Sequence, residues 1–232
     1  CLFLIVGVID RQLSTRDIRE LSGVGRQAPV MTIAAVVAVC SMVGIIPTIG
    51  FVAKEGVLAG MLGAADGGSG WGLAAFIGIA LGSLLTAAYG ARFLWGAFAT
   101  KSHTLKTHWP DPPIGFLGAP VLLAGLSLVL GLCAPLLDRA LAPYADTAPL
   151  APAGVTPPEH IEHLALWHGF NLALVVTIGS IVLGVLLFVA MRRWGFDTKG
   201  RVLRFTAADV YNLIRPGVAR LSVIVTTFTQ RG

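Results

Sequence analysis

The stretch Gly44-Ile-Ile-Pro-Thr-Ile-Gly-Phe-Val-Ala-Lys54-Glu55 decides the fold of this chain, because it places helix-breaking residues and two charges at the end of a long apolar segment. Residues 28–53 carry no formal charge. As one straight helix they would extend about 39 Å, against a hydrocarbon core about 30 Å thick. Gly44, Pro47 and Gly50 favour an interruption instead, since proline lacks an amide hydrogen and glycine relaxes the backbone. We therefore expect a discontinuous helix.

Lys54 and Glu55 lie immediately beyond this predicted interruption. Non-helical backbone at membrane depth is tolerated only where it is buried in protein or lines a hydrated cavity, and ionisable residues there usually mark ion routes. Sequence neighbours lie about 100° apart around a helix, so each of the two needs its own partner. They are the leading candidates for a proton pathway. The structural alternatives are that Lys54 extends to the interface from an ordinary helix end and that Glu55 is a surface cap.

The composition indicates an integral membrane protein. Hydrophobic residues make up 55% of the chain and charged residues 12%, whereas about a quarter of the residues of a soluble domain are charged. We expect an all-α polytopic transmembrane helix bundle, with a partial helix at 1–9 and spans at about 29–62, 71–99, 114–137 and 164–191 within a transmembrane region at 1–191. The first segment is too short to cross a bilayer and the chain begins with Cys1, so we expect an internal fragment without a signal peptide.

The basic residues predict the topology. Fourteen of the 17 Lys and Arg residues lie at 10–29, at 100–113 or after residue 191, whereas the intervening loops at 63–70 and 138–163 contain only Arg139. Because Lys and Arg accumulate in cytoplasmic loops, we expect a cytoplasmic C-terminus and an irregular connection at 138–163 on the other side. Topology also accounts for the net charge of +5. No nucleic-acid motif accompanies it, so no nucleic-acid partner is expected.

Residues 192–232 are predicted to form a basic segment followed by an amphipathic helix at the membrane interface. Apolar residues recur at helical spacing from Val210 to Phe228, with polar residues on the opposite face. Pro216 lies within this stripe and predicts a kink or a division into two helices.

The chain shows no pattern typical of a metal site, a cofactor site or a soluble enzyme. Cys1, Cys40 and Cys133 all lie in apolar runs, without a CxxC pair or a Cys/His spacing. No glycine-rich phosphate loop or nucleophile motif is present. We therefore expect neither a metal nor a cofactor, and a transporter component rather than an enzyme.

Several motifs resemble a known family. The segment 1–10, Ser14-Thr-Arg-Asp17 and the stretch from Gly44 to Glu55 are similar to the second half of the antiporter-like subunits shared by Mrp-type sodium/proton antiporters and respiratory complex I. Within that superfamily, three motifs are most similar to the large A-type component of the Mrp antiporter: Leu84-Leu-Thr-Ala-Ala-Tyr89, Arg92-Phe-Leu-Trp95 and Leu166-Trp-His-Gly-Phe-Asn171.

The resemblance implies a function. The chain would be a fragment, from the C-terminal half, of a membrane subunit of a monovalent cation/proton antiporter, working in a hetero-oligomeric complex in the bacterial cell membrane, with protons and sodium as the exchanged ions. Lys54 and Glu55 match the family's terminal charged site, and the tail resembles a lateral helix. Since burial disfavours the charged form of a lysine, Lys54 would relay protons while Glu55 holds it or takes the next step. The family's central His and Lys precede the region corresponding to Cys1, so only part of the route would lie here.

Other candidates and functions stay open. Tyr89, Arg92 and His168 are secondary candidates for the pathway, although Tyr89 and Arg92 also suit an anchor at a helix end and His168 suits an interfacial position. One alternative function is a proton-translocating subunit of an NADH:quinone oxidoreductase-type complex. The other is a non-catalytic membrane scaffold whose charges only fix helix packing.

Overall fold

All the regular secondary structure in the described part of the chain is helical. The computed structural model describes residues 1–15, 17–68, 70–102, 104–110, 114–146, 166, 169–194 and 207–229. It contains two compact units, Cys1–Phe188 and Val189–Gly232. The all-α class predicted from composition is confirmed.

Nine helices are described. They are α1 (Leu2–Leu13), α2 (Val24–Gln27), α3 (Pro29–Val43), α4 (Ile49–Asp66), α5 (Gly70–Phe98), α6 (Ile114–Leu132), α7 (Ala134–Asp146), α8 (Leu172–Arg193) and α9 (Ala207–Thr229). Among them, α5, α6 and α8 are long and apolar enough to cross a membrane, and α3 is a shorter apolar helix. Most of the apolar surface of these helices faces outward, as exposed Leu81, Leu85, Leu122 and Val182 show, which suits contact with lipid or with other membrane subunits.

Residues 44–48, here called the helix break, separate α3 from α4. The two helices contain 15 and 18 residues, so they extend about 22 Å and about 27 Å and each is shorter than a hydrocarbon core. Gly44 ends α3 in the left-handed conformation, with φ of 85°, which glycine adopts without a steric penalty. The buried hydroxyl of Thr48 donates to the Ile45 carbonyl at 2.7 Å. The polypeptide therefore satisfies part of its own exposed backbone at the break.

Two glycines allow other helices to approach the break closely. Gly50 is the second residue of α4 rather than part of the break, and a Cβ there would collide with the backbone carbonyl of Ser41 in α3. Gly131 in α6 is equally constrained, because a Cβ would collide with the Pro47 carbonyl and lie 2.6 Å from the carbonyl carbon of Thr48. α6 therefore packs closely against the break, and α3 packs closely against the start of α4.

The two basic loops at 10–29 and 100–113 contact each other. The Ser22 amide donates to Thr107 Oγ1 at 2.9 Å, and the Thr107 amide donates to the Ser22 carbonyl at 3.0 Å. Gln27 Nε2 donates to the Thr107 carbonyl at 2.6 Å. The Lys101 amide donates to Ser22 Oγ at 2.9 Å. Both loops therefore lie at one end of the first unit, consistent with the shared side predicted from their charge.

Several boundaries differ from the predicted ones. The first helix extends to Leu13 instead of ending at residue 9, and the last span begins as a helix at Leu172 instead of about residue 164. The prediction of an irregular connection at 138–163 is wrong for residues 138–146, because α7 continues through Pro143 to Asp146. Leu137 and Leu141 lie one turn apart and give this segment an apolar helical face. The prediction had given more weight to its prolines.

The second unit contains α9. This helix is continuous from Ala207 to Thr229, so Pro216 does not divide it. Among its described side chains, Tyr211, Ile214, Val218 and Leu221 are large, apolar and exposed. An interfacial position for this helix remains a prediction.

Candidate functional site at the helix break

Lys54 bridges the helix break. It is the sixth residue of α4, and its Nζ donates a hydrogen bond of 2.9 Å to the carbonyl of Val43, the last residue of α3. The last carbonyls of a helix lack partners within the helix and carry its negative partial charge, so an ammonium group is favoured there. Gly44 gives the lysine room, because a Cβ at that position would lie 2.9 Å from Lys54 Cδ. The lysine of α4 therefore caps the end of α3.

Glu55 contacts a different helix. Its side chain is only 3% exposed, and its Oε1 accepts a hydrogen bond of 3.0 Å from Asn171 Nδ2. Asn171 directly precedes α8, and its Oδ1 accepts a hydrogen bond of 2.7 Å from the Leu174 amide, which is the geometry of an N-cap. One asparagine thus caps α8 and holds the glutamate of α4.

The second carboxyl oxygen of Glu55 is buried without a hydrogen-bond partner among the described residues. A buried polar atom in this condition is costly, and more so when charged. A proton bound to this oxygen, or a donor brought to it, would relieve that cost. Oε2 therefore keeps an unused position for one further hydrogen bond among the described contacts.

The surroundings of Glu55 are apolar. Buried side chains of α4, α7 and α8 form a cluster on this side of α4, and two partly buried residues pack against it: Phe51, Val52, Ala134 and Leu174, with Ile49 and Leu166. Such surroundings have a low effective dielectric constant, which strengthens electrostatic interactions with any charge that arrives.

Lys54 and Glu55 have separate partners, as their angular separation on the helix predicts. Within the described residues the two form no ion pair, and their hydrogen bonds lead to α3 and to the start of α8 respectively. Both partners lie in this chain. The site therefore joins three helices through two neighbouring ionisable residues.

The secondary candidates are placed differently. Tyr89 is half exposed, contacts Met42 Sδ through its hydroxyl at 2.9 Å, and lines a cavity of about 670 Å³ that also includes Ser41 and Ser127. Arg92 lies on the exposed side of α5. His168 lies outside the described residues. The structure brings Lys54 and Glu55 together at the break, with Tyr89 on the wall of a neighbouring cavity.

Asn171 had no predicted role, although it ends the Leu166–Asn171 motif. A local signal was available, because asparagine immediately before an apolar helix is among the strongest N-cap patterns. The contact of Asn171 with Glu55 joins residues 116 positions apart, and no local pattern predicts it. Among the described residues, no group of three or more His, Cys, Asp or Glu side chains could hold a metal ion.

The chain is similar to known antiporter subunits. Residues 1–85 match the family model described as NADH:quinone oxidoreductase/Mrp antiporter. The chain is 30% identical to the A-type component of the Na⁺/H⁺ antiporter of Alkalihalophilus pseudofirmus, over 83% of this chain and 25% of that protein. It is 26% identical to the A1 component of the Na⁺/H⁺ antiporter of Staphylococcus epidermidis, over 97% of this chain and 30% of that protein.

A solved structure shows the same fold. The match is to the Mrp complex from Dietzia sp. DQ12-45-1b, with a TM-score of 0.66 and 31% sequence identity, over 97% of this chain and 23% of that chain. The chain spans less than a third of the length of these two curated relatives. These similarities confirm the resemblance drawn from the motifs. The chain therefore belongs to the NADH:quinone oxidoreductase/Mrp antiporter family and is a multi-pass membrane protein.

Proposed function

We propose that this chain is part of the large A-type component of a Mrp-type antiporter and contributes the terminal part of its proton pathway. The observation that carries the proposal is the pair of ionisable residues at the helix break. Lys54 is bound across the break, and Glu55 is buried with one oxygen unpaired within the described residues. The names of the relatives, which are Na⁺/H⁺ antiporter subunits, support sodium and protons as the exchanged ions.

Lys54 is the proton relay in this mechanism. Its ammonium form is stabilised by the Val43 carbonyl at the negative end of α3. Loss of the proton leaves a neutral amine, which weakens that hydrogen bond and releases the connection between α3 and α4. Protonation and deprotonation of one side chain would thus alternately close and open the break.

Glu55 takes the next step. The carboxylate accepts a proton at Oε2 and becomes neutral, which removes the cost of a buried charge. Because the side chains of Lys54 and Glu55 lead to different helices, the proton passes between them through water rather than directly. The glutamate then releases the proton toward the far aqueous side.

The complete protein would work as one subunit of a hetero-oligomeric complex in the bacterial cell membrane. The exposed apolar side chains of α5, such as Trp71, Leu81 and Leu85, suit contacts with lipid or with such subunits. The contact between the two basic loops supports a shared cytoplasmic side for them. On that assignment the C-terminus of this chain is cytoplasmic.

Substitutions in the full-length protein, assembled with its partner subunits, test the proposal. Lys54→Ala and Glu55→Gln are each expected to abolish sodium-dependent proton movement in vesicles from an antiporter-deficient host, with normal abundance. Lys106→Ala is the matched control, because Lys106 is an exposed loop lysine. Transport by Lys54→Ala at the level of Lys106→Ala would remove the lysine from the mechanism. Loss of protein in step with loss of transport would instead indicate a scaffold.

The family model that matches residues 1–85 also covers NADH:quinone oxidoreductases, so redox-driven proton transport is the second candidate. Proteoliposomes with the purified complex separate the two functions. An imposed sodium gradient, without NADH or quinone, should move protons if the function is antiport. Proton movement that needs NADH and quinone would establish the redox-driven alternative.

A further inference from the structure

Asn171 connects the Glu55 carboxyl to the start of α8 through both ends of one side-chain amide. Nδ2 donates to Glu55 Oε1 at 3.0 Å, and Oδ1 accepts from the Leu174 amide at 2.7 Å. The reverse orientation of the amide would place a donor against an N–H group and an oxygen against a carboxyl oxygen. The two contacts therefore fix the orientation of the asparagine, which always presents a donor to the glutamate.

This arrangement makes the two oxygens of Glu55 chemically different. Oε1 is occupied by the amide, whereas Oε2 is buried and has no partner among the described residues. A proton that reaches the carboxyl thus has one open position. The N-terminus of α8 also lies next to the site through Asn171, and its positive partial charge favours the carboxylate when the proton leaves.

We propose that Asn171 is a positioning residue of the proton pathway: it holds Glu55 by Oε1 so that Oε2 alone exchanges protons. The proposal rests on the proposed function of Glu55 and extends it to a residue that touches neither the break nor Lys54 in the described contacts. It also gives the Leu166–Asn171 motif a role. Leu166 packs against the apolar cluster beside Glu55, and Asn171 supplies the polar contact.

A purely structural N-cap is the competing explanation, and two substitutions test the two roles. Asn171→Thr and Asn171→Asp both keep an oxygen that can cap α8, but neither keeps the amide donor. If Asn171 only caps α8, Asn171→Thr transports normally, whereas Asn171→Asp disturbs Glu55 under either explanation because of its added charge. If it positions Glu55, Asn171→Thr lowers transport by about tenfold to a hundredfold, the usual effect of losing a hydrogen bond to a charged group. Transport by Asn171→Asp is lower still, because this substitution places a second carboxylate beside that of Glu55.

The matched control is Ser180→Ala on the same helix. Ser180 Oγ donates to the Ala80 carbonyl at 3.3 Å, so its loss removes a hydrogen bond between α8 and α5 without touching Glu55. All variants are made in the full-length protein within the assembled complex, and transport is divided by abundance. Infrared difference spectra add a readout that a structural role would not move. The carboxyl C=O band of Glu55, assigned by its absence in Glu55→Gln, should shift in Asn171→Thr and stay in place in Ser180→Ala.

The outcomes distinguish this inference from the function on which it rests. Normal transport by Asn171→Thr with an unshifted band would overturn the inference alone, provided that Glu55→Gln is inactive. A fall in abundance that accounts for the whole loss of transport in that variant would overturn it as well, in favour of the cap. Full transport by Glu55→Gln would overturn the proposed role of Glu55 and the inference together.

Discussion

Gly131→Ala should destabilise the protein, because α6 lies directly against the backbone of the helix break. A Cβ at this position would lie 2.6 Å from the Thr48 carbonyl carbon and 2.8 Å from the Ile49 nitrogen. Ordinary van der Waals contact begins at 3.4 Å, so the first distance is about 0.8 Å too short for attraction. All of these atoms belong to the backbone, and no change of rotamer can relieve the overlap.

Gly125→Ala is the matched control for the size of the effect. Gly125 lies in the same helix, and a Cβ there meets nothing within 4 Å. Replacing glycine by alanine inside a helix stabilises it by up to about 1 kcal/mol at either position. The difference in stability between the two variants therefore measures the steric overlap. Overpacking of this kind costs about 1–3 kcal/mol. Gly131→Ala should therefore unfold at a lower temperature than Gly125→Ala, with a free-energy difference of about 1–3 kcal/mol between them.

The measurement is thermal unfolding of the two purified variants in the same detergent, followed by intrinsic fluorescence. Equal unfolding temperatures would refute the close packing of α6 on the break. A lower temperature for Gly125→Ala than for Gly131→Ala would refute it more strongly, since it would place the tight contact in the middle of α6 and away from the break.

Three further substitutions test the packing around the break by the same measurement. Gly50→Ala should lower the unfolding temperature, because a Cβ there collides with the Ser41 carbonyl. Gly60→Ala in the same helix should not, because a Cβ there meets nothing within 4 Å; a reversed order would contradict the α3–α4 contact. Ser127→Ala should cost about 1 kcal/mol by removing the 2.8 Å hydrogen bond between its hydroxyl and that of Ser41, and no change would mean that water replaces it. Thr48→Val keeps the shape and removes the 2.7 Å hydrogen bond from the hydroxyl to the Ile45 carbonyl, which still accepts from the Thr48 amide at 3.1 Å. It should therefore cost about 1 kcal/mol; a stability gain would argue against the hydroxyl bond.

The helix break shows how far local sequence information reaches. Gly44 and Pro47 lie between α3 and α4, where their backbone restrictions predict an interruption. Gly50 was assigned to the same interruption, but it lies inside α4 and serves close packing. The separation of Lys54 from Glu55 also follows from local geometry, since it depends only on the helical repeat.

The sequence by itself determined the membrane character, the helical class, the position of the interruption and the grouping of the basic loops, because composition, backbone restrictions and charge are properties of the chain at each position. Only the tertiary structure decided the partners of the site. Gly125 and Gly131 are both glycines of the apolar helix α6, yet of these two only Gly131 lies against the break. Asn171 contacts Glu55 although the two residues are 116 positions apart. Such contacts depend on how the helices pack on one another, and a helical pattern indicates which residues share a face without indicating which other helix that face contacts.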